Sequence, residues 1–443
     1  MSSTLRVARC HRDGPRQVTG ERVRRSQTRA SAGHNRPGTA ADIHRRTRGM
    51  VPPARAEWTA PMSAYTVTRP TDLVGIVPHI LGYTPTDSLV LVTGSRSGDR
   101  GEVGLTVRFD FGFSEAAHLD AEDLAAIVST LEHAEGAAAV FPILFSTEVP
   151  TALGLLGEPE SELLVDHFRL PVFLICAALA EAGYEVADPL WAGGGFCGSL
   201  DDPEVLYGRA ETTDTEVAVR LIADGRSHAE DFAAATAHPV PPPELLTGAA
   251  RIRASAPSAA ARYDAALADL RALLDLAEDP RATVAQVPGV LSPGGVVGME
   301  LMCAELWSRD CIEMILGFDH PDFSPARIAA LEPGTFAAWA RPIARSAAAA
   351  ESMIGLSPER PDFARTAYSV AYLDCLVPAV DEASRPAVLA MLAWLEWGRA
   401  RNSFADHYAC RSLALDPDYT LAGLVHGAVT RGLPPRWMAA SGR

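Results

Sequence analysis

The chain contains no lysine: all 39 of its basic residues are arginine. A chain of this length ordinarily carries about twenty lysines. A GC-rich coding sequence accounts for the loss, because it drives lysine codons toward arginine and raises alanine, glycine and proline alongside. Whatever its origin, the absence excludes chemistry. No lysine can cradle a nucleotide in a P-loop, form a Schiff base, anchor pyridoxal phosphate or serve a Ser-Lys dyad. No modification of a lysine amine can mark the chain internally.

Other signals are missing too. The seven cysteines (Cys10, Cys176, Cys197, Cys303, Cys311, Cys375 and Cys410) form no Cys-x-x-Cys pair, and most sit in apolar helical runs. That pattern points to free buried thiols in a reducing compartment. The twelve histidines show neither His-x-x-x-His nor His-Glu-x-x-His spacing, so no metal and no cofactor are expected. No run reaches the eighteen or so apolar residues of a membrane span, and no N-terminal stretch resembles a secretory core. A soluble, cytoplasmic protein is expected, without a membrane partner.

Acidic residues dominate what is present, with a net charge of −16 that is unevenly spread. Residues 1–61 hold 13 arginines and four acids, whereas the rest of the chain carries a net −25. An acidic body repels phosphate backbones, so nucleic-acid binding by the body is not expected. Residues 1–61 lack apolar periodicity and read as disordered. They read best as translated upstream sequence, with the natural start at Met62; a basic nucleic-acid arm and an organelle transit peptide are the competing readings.

From residue 62 to about 236, strand and helix signals interleave, which points to an α/β or α+β domain. Ser88–Val92 is a short apolar run that reads as a buried strand. In Val103–Phe111 the residues Val103, Leu105, Val107, Phe109 and Phe111 face one way, and Thr106, Arg108 and Asp110 the other. That period of two predicts a strand with one packed and one polar face. A turn over Ser95–Gly101 joins the two strands. Asp120 offers an N-cap to a following helix. Ala138–Phe145 reads as a strand kept from the sheet centre by Pro142. Glu160–Gly183 reads as helix in two pieces, divided at Pro171. Tyr184–Trp191 reads as a strand and Thr213–Asp224 as a helix.

Residues 237–250 form a Pro-rich linker through His238-Pro-Val-Pro-Pro-Pro-Glu244. After it the strand signal disappears, and 251–443 reads as a helical domain. Ser403–Leu415 and Tyr419–Thr430 form a terminal helical hairpin that resembles a tetratricopeptide end. No 34-residue period repeats it, so a bundle is expected rather than a solenoid.

The chain from Thr68 to Trp437 resembles the actinobacterial family called domain of unknown function 4192. The resemblance rests on Arg69-Pro-Thr-Asp72-Leu, Leu81-Gly82-Tyr-Thr-Pro85-Thr-Asp-Ser88-Leu-Val, Gly104-Leu-Thr-Val-Arg108-Phe-Asp110, Trp307-Ser-Arg309-Asp310, and Ala414-Leu-Asp416-Pro417-Asp-Tyr419 with Gly432-Leu-Pro434-Pro435. It implies lineage and no mechanism, and it supports Met62 as the start. The family carries paired cysteines after the equivalent of Trp191. Here Cys197 has no second cysteine after it, which removes the basis for a metal or redox role in that segment.

Four polar groups are candidates for a ligand site beside the N-terminal sheet: Arg69, Asp72, Arg108 and Asp110. Arg108 and Asp110 lie two apart on one strand face, which suits an anion or a carboxylate. Asp72 also suits a helix cap. Ser88 lacks a Gly-x-Ser-x-Gly elbow and reads as a strand start. Gly193–Gly198 lacks dinucleotide-binding spacing and reads as a loop. Arg309, Asp310, His407 and Tyr419 are interface candidates, Arg309-Asp310 as a partly buried pair. Two functions follow as expectations. The first is a non-enzymatic interaction or regulatory protein that docks a protein partner through its helical half. The alternative is a small-ligand-binding protein or enzyme with its site beside the sheet.

Overall fold

The apolar run Ser88–Val92 and the alternating run Val103–Phe111 pair as the central hairpin of a nine-stranded mixed sheet. The computed structural model describes residues 57–59, 66–67, 69–97, 100–132, 137–153, 155, 162–202, 205–208, 211, 215–223, 228–318 and 324–439. The strands are β1 (Glu57–Thr59), β2 (Thr66–Val67), β3 (Ser88–Ser97), β4 (Arg100–Asp110), β5 (Ala139–Phe145), β6 (Glu185–Val186), β7 (Leu190–Gly193), β8 (Phe196–Ser199) and β9 (Leu206–Gly208). Their order is β2-β1-β4-β3-β5-β7-β8-β9, with β6 also on β5.

The hairpin is longer than its apolar pattern. Backbone pairing runs out to Ser97 opposite Arg100, with a register shift between Val92 and Gly94. The expected turn over 95–101 therefore shrinks, because ladder hydrogen bonds need no apolar side chain. Most of residues 1–61, read as disordered, lies outside the described residues. Its Glu57–Thr59 is a strand, β1, parallel to Arg100–Glu102 of β4. Pairing at a sheet edge likewise needs no hydrophobic period.

Successive side chains of a strand point to opposite faces. Leu89, Leu91, Phe109 and Phe111 pack on one face against α2 (Ala121–Leu131) and α3 (Glu162–Glu181). Val90, Val92, Ile143 and Phe145 pack on the other against Leu73, Val74 and Val77 of α1 (Pro70–Leu81). Leu89 to Val92 are fully buried, each worth roughly 1.5–3 kcal/mol as a buried aliphatic side chain. Both sheet faces are thus covered, and α4 (Glu216–Ala223) packs beside α1. The open polar face expected for β4 is absent at Arg108, whose side chain is only 17 % exposed.

Two proline expectations are corrected. β5 lies centrally, with β3 on one side and β6 and β7 on the other. Pro142 is tolerated because β6 pairs at Ala139 and Val140 and β7 at Ile143 to Phe145, so Pro142 falls in the gap between them. Pro171 does not divide α3, which is one helix of 20 residues. There Pro171 is buried against its neighbours, and tertiary packing holds a helix that propensity alone would break.

The second half is helical: α5 (Pro243–Ser255), α6 (Ala259–Glu278), α7 (Pro293–Ala304), α8 (Leu306–Gly317), α9 (Phe363–Leu376), α10 (Arg385–Gly398), α11 (Asn402–Leu415) and α12 (Thr420–Thr430), with shorter helices between. Every residue of α10 from Pro386 to Gly398 is buried, as an apolar helix at the centre of a bundle must be. The linker expected over 237–250 ends early, since Pro243 opens α5 with the fixed φ that suits a first helical position. Nor is its start free. His238 Nδ1 donates to Asp374 Oδ1 at 2.6 Å, and its Nε2 accepts from Arg411 Nη1 at 2.6 Å. No single described helix is long and apolar enough to cross a membrane.

Candidate functional site

The first half of the chain meets the terminal hairpin at Gly82. Gly82 caps α1 in the left-handed conformation, at φ 87°. Any Cβ there would lie 2.3 Å from Arg401 Nη2. The glycine thus serves both the cap and the approach of a guanidinium from 319 residues downstream. Arg401 donates to the Leu81 carbonyl at 3.1 Å and to Glu396 Oε1 at 3.2 Å, and lies 3.9 Å above the Phe404 ring. Tyr83, Phe232 and Phe404 meet edge to face beside it, with centroids 4.9–5.7 Å apart. Such aromatic pairs add about 0.5–1.5 kcal/mol each beyond burial.

Next to this seam the sheet presents its polar groups. Ser88 sits opposite Asp110 in the register, two residue pairs from Arg108 and on the same face. Arg108 Nε donates to Ser88 Oγ at 2.8 Å, and Arg108 Nη2 to Asp110 Oδ1 at 2.5 Å. Ser88 Oγ in turn donates to the Thr86 carbonyl at 2.6 Å. Its hydroxyl proton is therefore engaged, and the side chain is fully buried, so Ser88 is not an available nucleophile.

The Asp110 charge acts on Asp406 of α11. Burial pushes the Asp406 carboxyl up, the His426 and Cys410 hydrogen bonds and the His426 charge oppose this, and the Asp110 charge adds to it. Asp406 Oδ1 lies 2.7 Å from His426 Nδ1, Cys410 Sγ lies 3.8 Å from Asp406 Oδ2, and Cys410 Sγ lies 3.8 Å from the same His426 nitrogen. One carboxylate oxygen, one sulfur and one imidazole nitrogen gather within 4.8 Å of one another. Sequence reading missed this trio. Asp406 and Cys410 are four apart on one helix face, but His426 joins them only through the packing of α12 on α11. The sole signal was the Asp-x-x-x-Cys spacing, which is common and unspecific.

The predicted ligand residues are divided. Arg108 and Asp110 stand together at the seam. Arg69 and Asp72 stand at the start of α1, where Asp72 Oδ2 accepts the Arg69 backbone N–H at 3.0 Å and Oδ1 the Arg69 guanidinium at 3.4 Å. This is the capping role. Arg69 also acts on Tyr207 of β9, where burial pushes the phenol up and Arg69 opposes it. The two pairs thus face different neighbours.

The predicted interface residues point inward. Arg309, with a side chain 8 % exposed, donates to Asp310 Oδ1 at 2.6 and 3.0 Å and to the Tyr419 hydroxyl at 3.1 Å. It joins α8 to the turn of the terminal hairpin. Glu313, one turn further on, is fully buried. Neither of its oxygens has a hydrogen-bond partner among the described residues. Burial pushes its carboxyl from 4.5 up to about 8, Arg309 opposing and Asp310 adding. His407 packs edge-on against Phe232, and burial, Arg411 and His238 lower it to about 4.

The glycine loop after Trp191 is a tight hairpin turn. Gly194 and Gly195 take φ 57° and 85° between β7 and β8, as a two-residue turn of the primed type needs. Cys197 beyond it is buried, and desolvation pushes its thiol up to about 12, so it is a protonated thiol and a poor nucleophile at neutral pH. Cys303 and Cys311 are pushed to about 12 by the same cause.

Comparison with known proteins gives one finding. The family model described as Domain of unknown function (DUF4192) matches residues 70–436, which span β3 to β9 of the sheet, the seam and the terminal hairpin. No curated protein and no solved structure matches the chain.

Proposed function

We propose that this chain, which belongs to the DUF4192 family, is a non-enzymatic, ligand-responsive regulatory protein of the cytoplasm. A small ligand binds beside the sheet at Arg108 and Asp110, and the terminal hairpin carries the response to a protein partner. One observation carries the reading: Leu81 and Tyr83, which contact Arg401 and Phe404 of the hairpin, lie on the same short segment as Ser88, the partner of Arg108. A ligand that changes charge or spacing there acts on both halves at once, which is the requirement for coupling.

Two further features support it. Ser88 and the thiols of Cys197, Cys303 and Cys311 are held in forms unsuited to nucleophilic attack at neutral pH. No disulfide joins the described cysteines, which fits a reducing compartment. The partner-facing surface in this reading is the outside of α12, where Leu424 is 63 % exposed while Leu421 and Val425 turn inward.

Native mass spectrometry of the full chain, purified gently from its own host, tests the reading. A bound small mass that disappears in Arg108→Ala supports the ligand, and a subunit released by Leu424→Asp supports the partner. A chain carrying neither overturns the proposal.

A further inference from the structure

We infer that Asp406, Cys410 and His426 form a binding site for one divalent transition-metal ion of the zinc class. This goes beyond the regulatory reading above, whose small ligand sits at Arg108 and Asp110, and stands on different residues.

The donor geometry carries the inference. In a relay triad, histidine uses one ring nitrogen for the nucleophile and the other for the carboxylate. Here the carboxylate and the thiol both approach Nδ1 of His426, at 2.7 and 3.8 Å. The three atoms therefore converge on a common centre, as ligands do, rather than standing in a line along which a proton could pass. Bond lengths of about 2.0–2.3 Å to tetrahedral zinc put ligand atoms about 3.3–3.6 Å apart. The sulfur lies 3.8 Å from His426 Nδ1 and 3.8 Å from Asp406 Oδ2, His426 contacts the other oxygen, Oδ1, at 2.7 Å, and one atom from each residue lies within 4.8 Å of the other two. Rotation of the carboxylate and a small opening of its contact with the imidazole bring one oxygen, the sulfur and the nitrogen to the tetrahedral separations.

The donor set selects the ion. One sulfur, one imidazole nitrogen and one carboxylate oxygen suit zinc or a neighbouring borderline ion, while calcium and magnesium take oxygen ligands. The placement gives both rigidity and access. Asp406 has a side chain 1 % exposed and His426 one 36 % exposed, so the trio is anchored on one side and open on the other. α11 is held to α10 by Ser412 Oγ, which donates to the Pro386 carbonyl at 2.7 Å. With three protein donors, the fourth position falls to water or to a ligand, the open arrangement of reactive and sensing zinc sites rather than the closed one of structural sites. Zinc is ligated by thiolate and neutral imidazole, so affinity falls as pH is lowered.

The test is titration of the untagged full chain with zinc chloride by calorimetry and with cobalt(II) chloride by absorbance. One ion per chain and a thiolate-to-cobalt charge-transfer band are expected. Cys410→Ser should abolish the band, and His426→Gln should weaken zinc binding by at least about tenfold, each with an unchanged circular dichroism spectrum. In the wild type, zinc should also protect Cys410 from iodoacetamide in peptide mapping, a readout independent of whether the variants fold. No binding by the wild type, or binding and a band that survive both substitutions, overturns the site. The two proposals fail separately: absence of zinc binding sinks the metal site alone, whereas a chain that carries neither an Arg108-dependent small mass nor a partner subunit sinks the regulatory reading alone.

Discussion

Replacing Glu313 by glutamine is expected to remove much of the loss of stability that this protein suffers as pH rises. Glu313 is fully buried, both its oxygens lack hydrogen-bond partners among the described residues, and desolvation raises its carboxyl from 4.5 to about 8. Between those values the folded chain keeps a proton that the unfolded chain has released. Unfolding then releases a proton, and stability falls with increasing pH. The favourable contribution is complete below about 4.5, declines by up to about 1.4 kcal/mol per pH unit, and is exhausted above about 8. From pH 5 to pH 8 this single group accounts for roughly 3 kcal/mol. Glutamine has nearly the same shape and cannot ionise, so the difference in stability between the two proteins should move by that amount in favour of the variant. Urea unfolding followed by tryptophan fluorescence at pH 5, 6, 7 and 8 measures it, and other titrating groups cancel in the difference. A wild-type minus variant difference that stays constant across this range would refute the reasoning.

Three further outcomes are expected. Gly82→Ala should destabilise by about 1–3 kcal/mol, from the left-handed backbone and the collision with Arg401. Arg401→Ala in the same chain should cost less than the sum of the two single changes, which a double-mutant cycle reads. His407, lowered to about 4, should stay neutral down to pH 5 in an NMR titration; a midpoint near 6.5 would contradict its placement against Phe232. Leu392→Ala, at a fully buried position of α10, should cost about 2–5 kcal/mol in denaturant unfolding.

Local pattern carried much of the fold. The alternation over Val103–Phe111 marks β4, the Asp120 cap marks α2 through its hydrogen bonds to Glu122 and Asp123, and the helical run beyond residue 251 is visible as far as α12. The prolines misled, because Pro142 and Pro171 are tolerated for tertiary reasons that local propensity does not contain. The covered second face of the sheet was also hidden, since Arg108 and Asp110 look solvated until α1 and the hairpin are in place. The site was half legible. Arg108 and Asp110 stand out two apart on a strand, while the Asp406–Cys410–His426 trio exists only once α12 folds onto α11. Arg309 and Tyr419 were visible as polar residues in apolar surroundings. That they bond to each other, rather than facing outward, depends on a contact 110 residues apart.

The close fit of Arg401 over Gly82 also couples the two positions. A side chain at position 82 would strain the left-handed backbone and push the Arg401 guanidinium off the Leu81 carbonyl, so a change at either position is felt at the other despite their distance in the chain. The cap of the first helix and the entry to the terminal hairpin are thus one joint, and a substitution in it loosens both ends together.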